Sequence, residues 1–177
     1  MKKALLAVTL FALGLTSVMA QAATIVYTGT GTLKKLSGSD PGGAGGKTGT
    51  IAISVSSTAN PTSHTATSGT YRLAAGAIQV TFNGSTYSNS SAATMKLSAA
   101  AAASTITVTG NFSVSGVTAK VKGVVSLKKG SFTSAVSKHP MAFKPTPQTL
   151  TSPKSYITYT VPLIGATKLG INGSASN

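Results

Sequence analysis

From Thr24 onward the chain alternates apolar and polar positions with a period of two, and valine, isoleucine and threonine dominate the alternating stretches. Side chains on an extended strand point to opposite faces in turn, so this pattern marks strands with one buried face. No window of helical length places apolar residues at i, i+3 and i+4. The pattern predicts an all-β protein: a single-domain antiparallel β-sandwich, jelly-roll-like or Ig-like, built from short strands joined by turns rich in glycine, proline and asparagine.

The strands can be placed one by one. Thr24 to Leu36 carries Ile25, Tyr27 and Leu33 on one parity. Ser37 to Gly46 is a glycine-rich loop in which Asp40–Pro41 starts a turn. Thr48 to Ser56 returns with Ile51, Ile53 and Val55 on one face. Ala59 to Thr67 is a polar loop. Gly69 to Ala74 presents Tyr71 and Leu73, and Ala77 to Phe82 presents Ile78 and Val80. Asn83–Gly84 then matches a type I′ turn, whose two central residues need positive φ, and pairs Phe82 with Ser85 and Val80 with Tyr87. Thr94 to Leu97 follows. A second two-residue turn at Ser115–Gly116 sets Val114 against Val117, Phe112 against Ala119, Gly110 against Val121, Val108 against Gly123 and Ile106 against Val125. That face is apolar throughout. The other face is polar except at Val124 and turns Lys120 and Lys122 to solvent, as a half-buried ribbon requires. Residues 138–154 hold four prolines without alternation and read as a connector crossing between sheets. Tyr156 to Val161 and Ala166 to Ala175 close the domain, the latter with Leu169 and Ile171 inward.

The N-terminus follows different rules. Lys2 and Lys3 precede an apolar run from Ala4 to Leu15, and small residues follow, with cleavage positions after Ala20 or Ala22. This is the pattern of a secretory signal peptide spanning 1–22. The run is shorter than the ~20 residues of a membrane-spanning helix. The domain is then 23–177, and the expected location is secreted or periplasmic. With no cysteine in the chain, a lipoprotein anchor is excluded and no disulfide contributes to stability.

Charge changes the picture further. Fifteen Lys and Arg face a single acid, Asp40, for a formal charge of +14; removing Lys2 and Lys3 lowers it to +12. A field of one sign attracts anions. Outside a cell these are acidic polysaccharides or other anionic surfaces, and Lys120, Lys122, Lys128 and Lys129 are the candidate contacts. Nucleic acid fits poorly, because the basic residues are not interleaved with aromatic groups for base stacking. Flat Thr/Ser-rich strands leave edges through which copies could self-associate.

The same composition removes most catalytic chemistry. One side-chain carboxylate cannot form the acid pair of a glycosidase or an aspartic protease. Nor can it build a calcium cage. Two histidines without cysteine fall short of a zinc site. The expectation is a non-enzymatic protein with no cofactor or metal. The alternative, an exported hydrolase, needs His64 or His139 to meet a serine, with Asp40 as the orienting group.

Tyr27–Thr28–Gly29, the loop Gly38–Ser39–Asp40–Pro41–Gly42 with Gly45–Gly46, and the returning Thr50–Ile51–Ala52–Ile53–Ser54–Val55 resemble the first hairpin of PEP-CTERM-type exported bacterial proteins. The resemblance implies a β-rich secreted protein of unassigned activity. Residues Gly165 to Asn177 contain no Pro-Glu-Pro, apolar helix or terminal arginine cluster, so that family's route of membrane sorting does not carry over.

Overall fold

The computed structural model describes residues 22–82 and 84–177; residues 1–21 of the predicted export segment, with the cleavage position after Ala20, lie outside them, as does Asn83. Among the described residues twelve strands form one antiparallel sheet: β1 (Thr24–Ser37), β2 (Thr48–Ser56), β3 (Ser63–Thr65), β4 (Ser68–Leu73), β5 (Ile78–Phe82), β6 (Ser85–Ser88), β7 (Ala93–Ala99), β8 (Ser104–Val114), β9 (Val117–Leu127), β10 (Gln148–Leu150), β11 (Tyr156–Val161) and β12 (Gly165–Ser176). The hydrogen-bonded order is β3-β4-β7-β8-β9-β11-β12-β1-β2-β5-β6, with β10 paired to β12. The all-β antiparallel class is as the alternation predicts.

The sheet curls until its halves face each other. A Cβ added to Gly110 on β8 would touch Ile78 of β5, and one on Gly123 of β9 would touch Ile51 of β2. Beyond β6, Asn89 makes an isolated antiparallel bridge to Phe112 of β8, and Ser90 N–H donates to the Asn111 carbonyl at 2.8 Å. β7 pairs only as far along β8 as Thr109, so the next residues of β8 are free to receive this second neighbour. Strands β1, β2, β4, β5, β7, β8, β9, β11 and β12 thus contribute inward residues to one core, and the exposed three-residue β3 continues the sheet at its edge beyond β4.

The inward positions are those of the period-two pattern. Tyr27, Leu33, Ile51, Ile53, Val55, Tyr71, Leu73, Met95, Leu97, Ile106, Val108, Leu169 and Ile171 are all buried. Each large aliphatic among them contributes about 1.5–3 kcal/mol by leaving water. The Ser115–Gly116 turn has φ of 50° and 80°, and β8 pairs with β9 in the predicted register along its whole length. β5 and β6 likewise pair Phe82 with Ser85 and Val80 with Tyr87.

Two predicted loops are more ordered than the pattern implied. Ala59 to Thr67 contains β3, a three-residue edge strand, which is too short for alternation to register. Residues 138–154, expected as a crossover between sheets, instead run with the preceding turn across one end of the curl and contribute β10. Phe132, Val136, Phe143 and Leu150 from this segment are buried. Tyr27, Phe132 and Phe143 form a three-ring cluster with centroids 6.1–6.5 Å apart, and the Tyr27 hydroxyl donates to the Met141 carbonyl at 2.7 Å. Burial pushes the Tyr27 phenol pKa far upward, with the neighbouring Tyr71 adding to the shift.

The 3-10 turn Ser134–Ser137 docks on β4 through the Tyr71 hydroxyl, which donates to the Val136 carbonyl. Gly69 makes this approach possible, since a Cβ there would lie 2.3 Å from that carbonyl oxygen. Both partners are fully buried. Tyr71→Phe keeps the ring and strands the carbonyl, so it is expected to cost about 2 kcal/mol. Urea unfolding measures it, and an unchanged midpoint would show that the turn docks by shape alone.

Candidate functional site

The outer face of β4, β7, β8, β9, β11 and β12 is a shallow groove of about 670 Å³ lined by threonine and lysine. Register explains its regularity. Thr94, Thr109, Lys122, Thr158 and Lys168 are successive cross-strand partners from β7 to β12. The adjoining row runs Thr70, Lys96, Thr107, Val124 and Tyr156, and a third sets Lys120 against Thr160. Each of these residues is out of phase with the buried set on its own strand, so each points outward.

Four lysines therefore share one face. Lys120 and Lys122 lie about 7 Å apart along β9, and Lys168 lies two strands, about 10 Å, from Lys122. The Lys168 ammonium sits 3.9 Å from the centre of the Tyr156 ring, a cation–π contact that orients it over the groove. Hydroxyls stand between the cations: six threonines line the same groove. These spacings are comparable to the Debye length of ~8 Å at physiological salt, so neighbouring lysines repel one another weakly and an anion spanning them is attracted by several at once.

Of the four lysines expected as contacts, the structure brings Lys120 and Lys122 together with Lys96 and Lys168. It separates Lys128 and Lys129, which lie beyond the end of β9 in another groove with Lys154, Gln148 and Pro147. There the Lys128 backbone N–H donates to Gln148 Oε1 at 2.7 Å, which fixes the start of the turn. Lys96 and Lys168 were readable as outward-facing, because Met95, Leu97 and Leu169 flank them on the opposite parity. Their proximity to Lys122 was not readable, because it depends on which strands become neighbours.

The groups of the alternative catalytic reading are apart. His64 is exposed on β3 opposite Gly69. His139 is exposed, with its Nδ1 3.3 Å from the Ala59 carbonyl. Asp40 is engaged in its own loop: its carboxylate accepts from Ala44 N–H at 3.1 Å, Gly45 N–H at 2.9 Å and the Tyr159 hydroxyl at 2.9 Å. Partial burial alone would raise its pKa. The Gly45 and Ala44 N–H groups, the Tyr159 hydroxyl and nearby Lys35 outweigh that and hold it below its ordinary 3.8. Among the described residues no three histidine, cysteine or acidic side chains gather as metal ligands would.

No family model matches the chain, and neither the curated proteins nor the solved structures contain a significant match.

Proposed function

We propose that this chain is an exported, non-enzymatic β protein with a structural or surface role, and that its threonine–lysine face binds an anionic polymer, acidic polysaccharide being the class that suits it. One observation carries the reading: four lysines interspersed with hydroxyls stand on one face, and the chain's single acidic side chain is held in its own loop by the Ala44 and Gly45 N–H groups and the Tyr159 hydroxyl instead of pairing with them. A polysaccharide offers repeated anionic groups to the lysines and hydroxyls to the threonines. Tyr156 is the one aromatic ring in the groove, too few for the stacking platform that single-stranded nucleic acid uses.

The test is heparin binding across a salt titration. If four cations are engaged, the logarithm of affinity falls with the logarithm of salt with a slope of roughly −3, a loss of about sixtyfold between ~50 and ~200 mM. The variant with Lys96, Lys120, Lys122 and Lys168 all changed to glutamine is expected to lose most of the low-salt affinity and flatten the slope. A companion with Lys128, Lys129 and Lys154 changed to glutamine is expected to behave like the wild type. An unchanged slope in the first variant removes this face from consideration, and absence of low-salt binding by the wild type removes the reading.

A further inference from the structure

The curled sheet is closed at one end and open at the other. At the closed end lie the Tyr27–Phe132–Phe143 cluster and the connector that carries it. At the open end lie four hairpin connections: the loop Gly38–Lys47, the β5–β6 turn, Ser115–Gly116 and the β11–β12 turn. Between them is a cup of about 400 Å³ with an almost wholly apolar wall, which includes Val80, Phe82, Val121, Ile157, Val161 and Leu169. This size falls within the ~300–1,000 Å³ of small-molecule sites, which favour the mouths of β-barrels. Val80, Phe82, Val121, Ile157 and Val161 are only half-buried although they sit on inward parity, so the core stops short of filling the curl.

Polarity and charge narrow the occupant. The Tyr159 hydroxyl and the Asp40 carboxylate at the cup are already hydrogen-bonded to each other. The wall thus offers an entering molecule apolar contact and little else. Around the mouth the apolar surface continues outward onto Val114, Val117, Leu163 and Ile164, all exposed at the hairpin tips. Lys35 stands opposite Leu169 of the cup and beside Asp40, and the Lys47 backbone carbonyl, at the other end of the same hairpin loop, accepts from the Leu33 N–H at 2.9 Å. An apolar chain fits the cup, and an anionic head left at the mouth lies on the side where the chain places these two lysines, in the field of a strongly cationic protein.

We propose that the cup binds one molecule of a single-chain anionic amphiphile, with its hydrocarbon tail inside the curled sheet and its head beside Lys35 and Lys47. The probes are dodecanoate, dodecanol and dodecyltrimethylammonium, each below its critical micelle concentration, titrated calorimetrically into the protein. Dodecanoate is expected to bind with one-to-one stoichiometry and more tightly than the cationic probe. Val121→Phe adds bulk inside the cup and is expected to weaken dodecanoate by about tenfold or more. The double variant Lys35→Gln, Lys47→Gln is expected to weaken dodecanoate by about two- to fivefold and to leave dodecanol unchanged. Circular dichroism establishes that each variant is folded. If Val121→Phe does not fold, the lysine variant still decides through the contrast between dodecanoate and dodecanol.

No one-to-one binding of dodecanoate overturns the proposal, as does binding that the folded Val121→Phe leaves intact. Equal affinity for the cationic probe overturns the assignment of the head. Sedimentation that shows dimers abolished by Val121→Phe, without amphiphile binding, gives the cup to a second copy of the chain instead.

Discussion

Replacing Asn89 with alanine is expected to destabilise the protein by about 3 kcal/mol, a large share of a domain's typical 5–15 kcal/mol. Asn89 is 2% exposed and satisfies three backbone groups at once. Its Oδ1 accepts from the buried Ile78 N–H at 2.8 Å, and its Nδ2 donates to the Ala74 carbonyl at 2.8 Å and the Ser91 carbonyl at 2.6 Å. Ala74 and Ser91 are exposed, so water can replace the amide there at little cost. The Ile78 N–H cannot be hydrated, and its desolvation accounts for most of the loss. The location magnifies the effect, because the Asn89 backbone forms the bridge to Phe112 that closes the curl.

Denaturant unfolding measures the loss, and hydrogen exchange at the Ile78 amide shows whether the seam opens. Asn89→Asp sharpens the test. An ionised carboxylate still accepts from Ile78 but has no donor for the two carbonyls it faces, whereas the protonated form keeps one. The folded state therefore raises the new carboxyl's pKa above its unfolded value of about 3.9. Stability is retained below that value and lost as pH rises from there through the folded pKa. A variant whose deficit does not grow with pH over this range contradicts the assigned hydrogen bonds.

Phe143→Ala is expected to cost about 3–5 kcal/mol, the range for truncating a buried aromatic. Phe143 is fully buried, stacks on Tyr27 with an interplanar angle of 12° and meets Phe132 edge-on. Its backbone N–H is also held, donating to Asn177 Oδ1 at 2.7 Å. The void left by alanine is walled by rigid strands on one side and by the ordered connector on the other, so little collapse can refill it. Phe143→Leu, which keeps most of the volume, is expected to lose less than half as much. Equal losses for the two would mean that the edge-on and stacked geometry, and not volume, holds the connector in place. A loss below about 1 kcal/mol for alanine would show that the connector does not close this end of the core.

These two residues illustrate why parts of the fold are legible in the sequence and parts are not. The strands were legible because alternation is a local consequence of extended geometry: Ile51, Ile53 and Val55 need no knowledge of their partners to declare a buried face. The hairpins were legible for a related reason. Ser115–Gly116 adopts the positive φ values of a tight turn, and a two-residue turn fixes the register of everything that follows, down to Ser104 opposite Leu127. Lys120 and Lys122 inherited their exposure from that register.

Phe143 gave no such sign. Its segment is irregular, so burial there follows no period, and four prolines among 138–154 look the same whether a connector lies in water or plugs a core. Asn89 was equally silent, because its importance comes from Ile78, Ala74 and Phe112, which reach it only when the sheet has curled. The basic face falls between these cases. Parity alone shows that Lys96, Lys120, Lys122 and Lys168 point outward. That they point out side by side depends on β9 and β12 both pairing with β11, a choice made by long-range hydrogen bonding between segments that carry no local label for one another. Alternation specifies which side of a strand is wet; strand order, the closing seam and the burial of irregular chain are set by the packing of the whole sheet around its core.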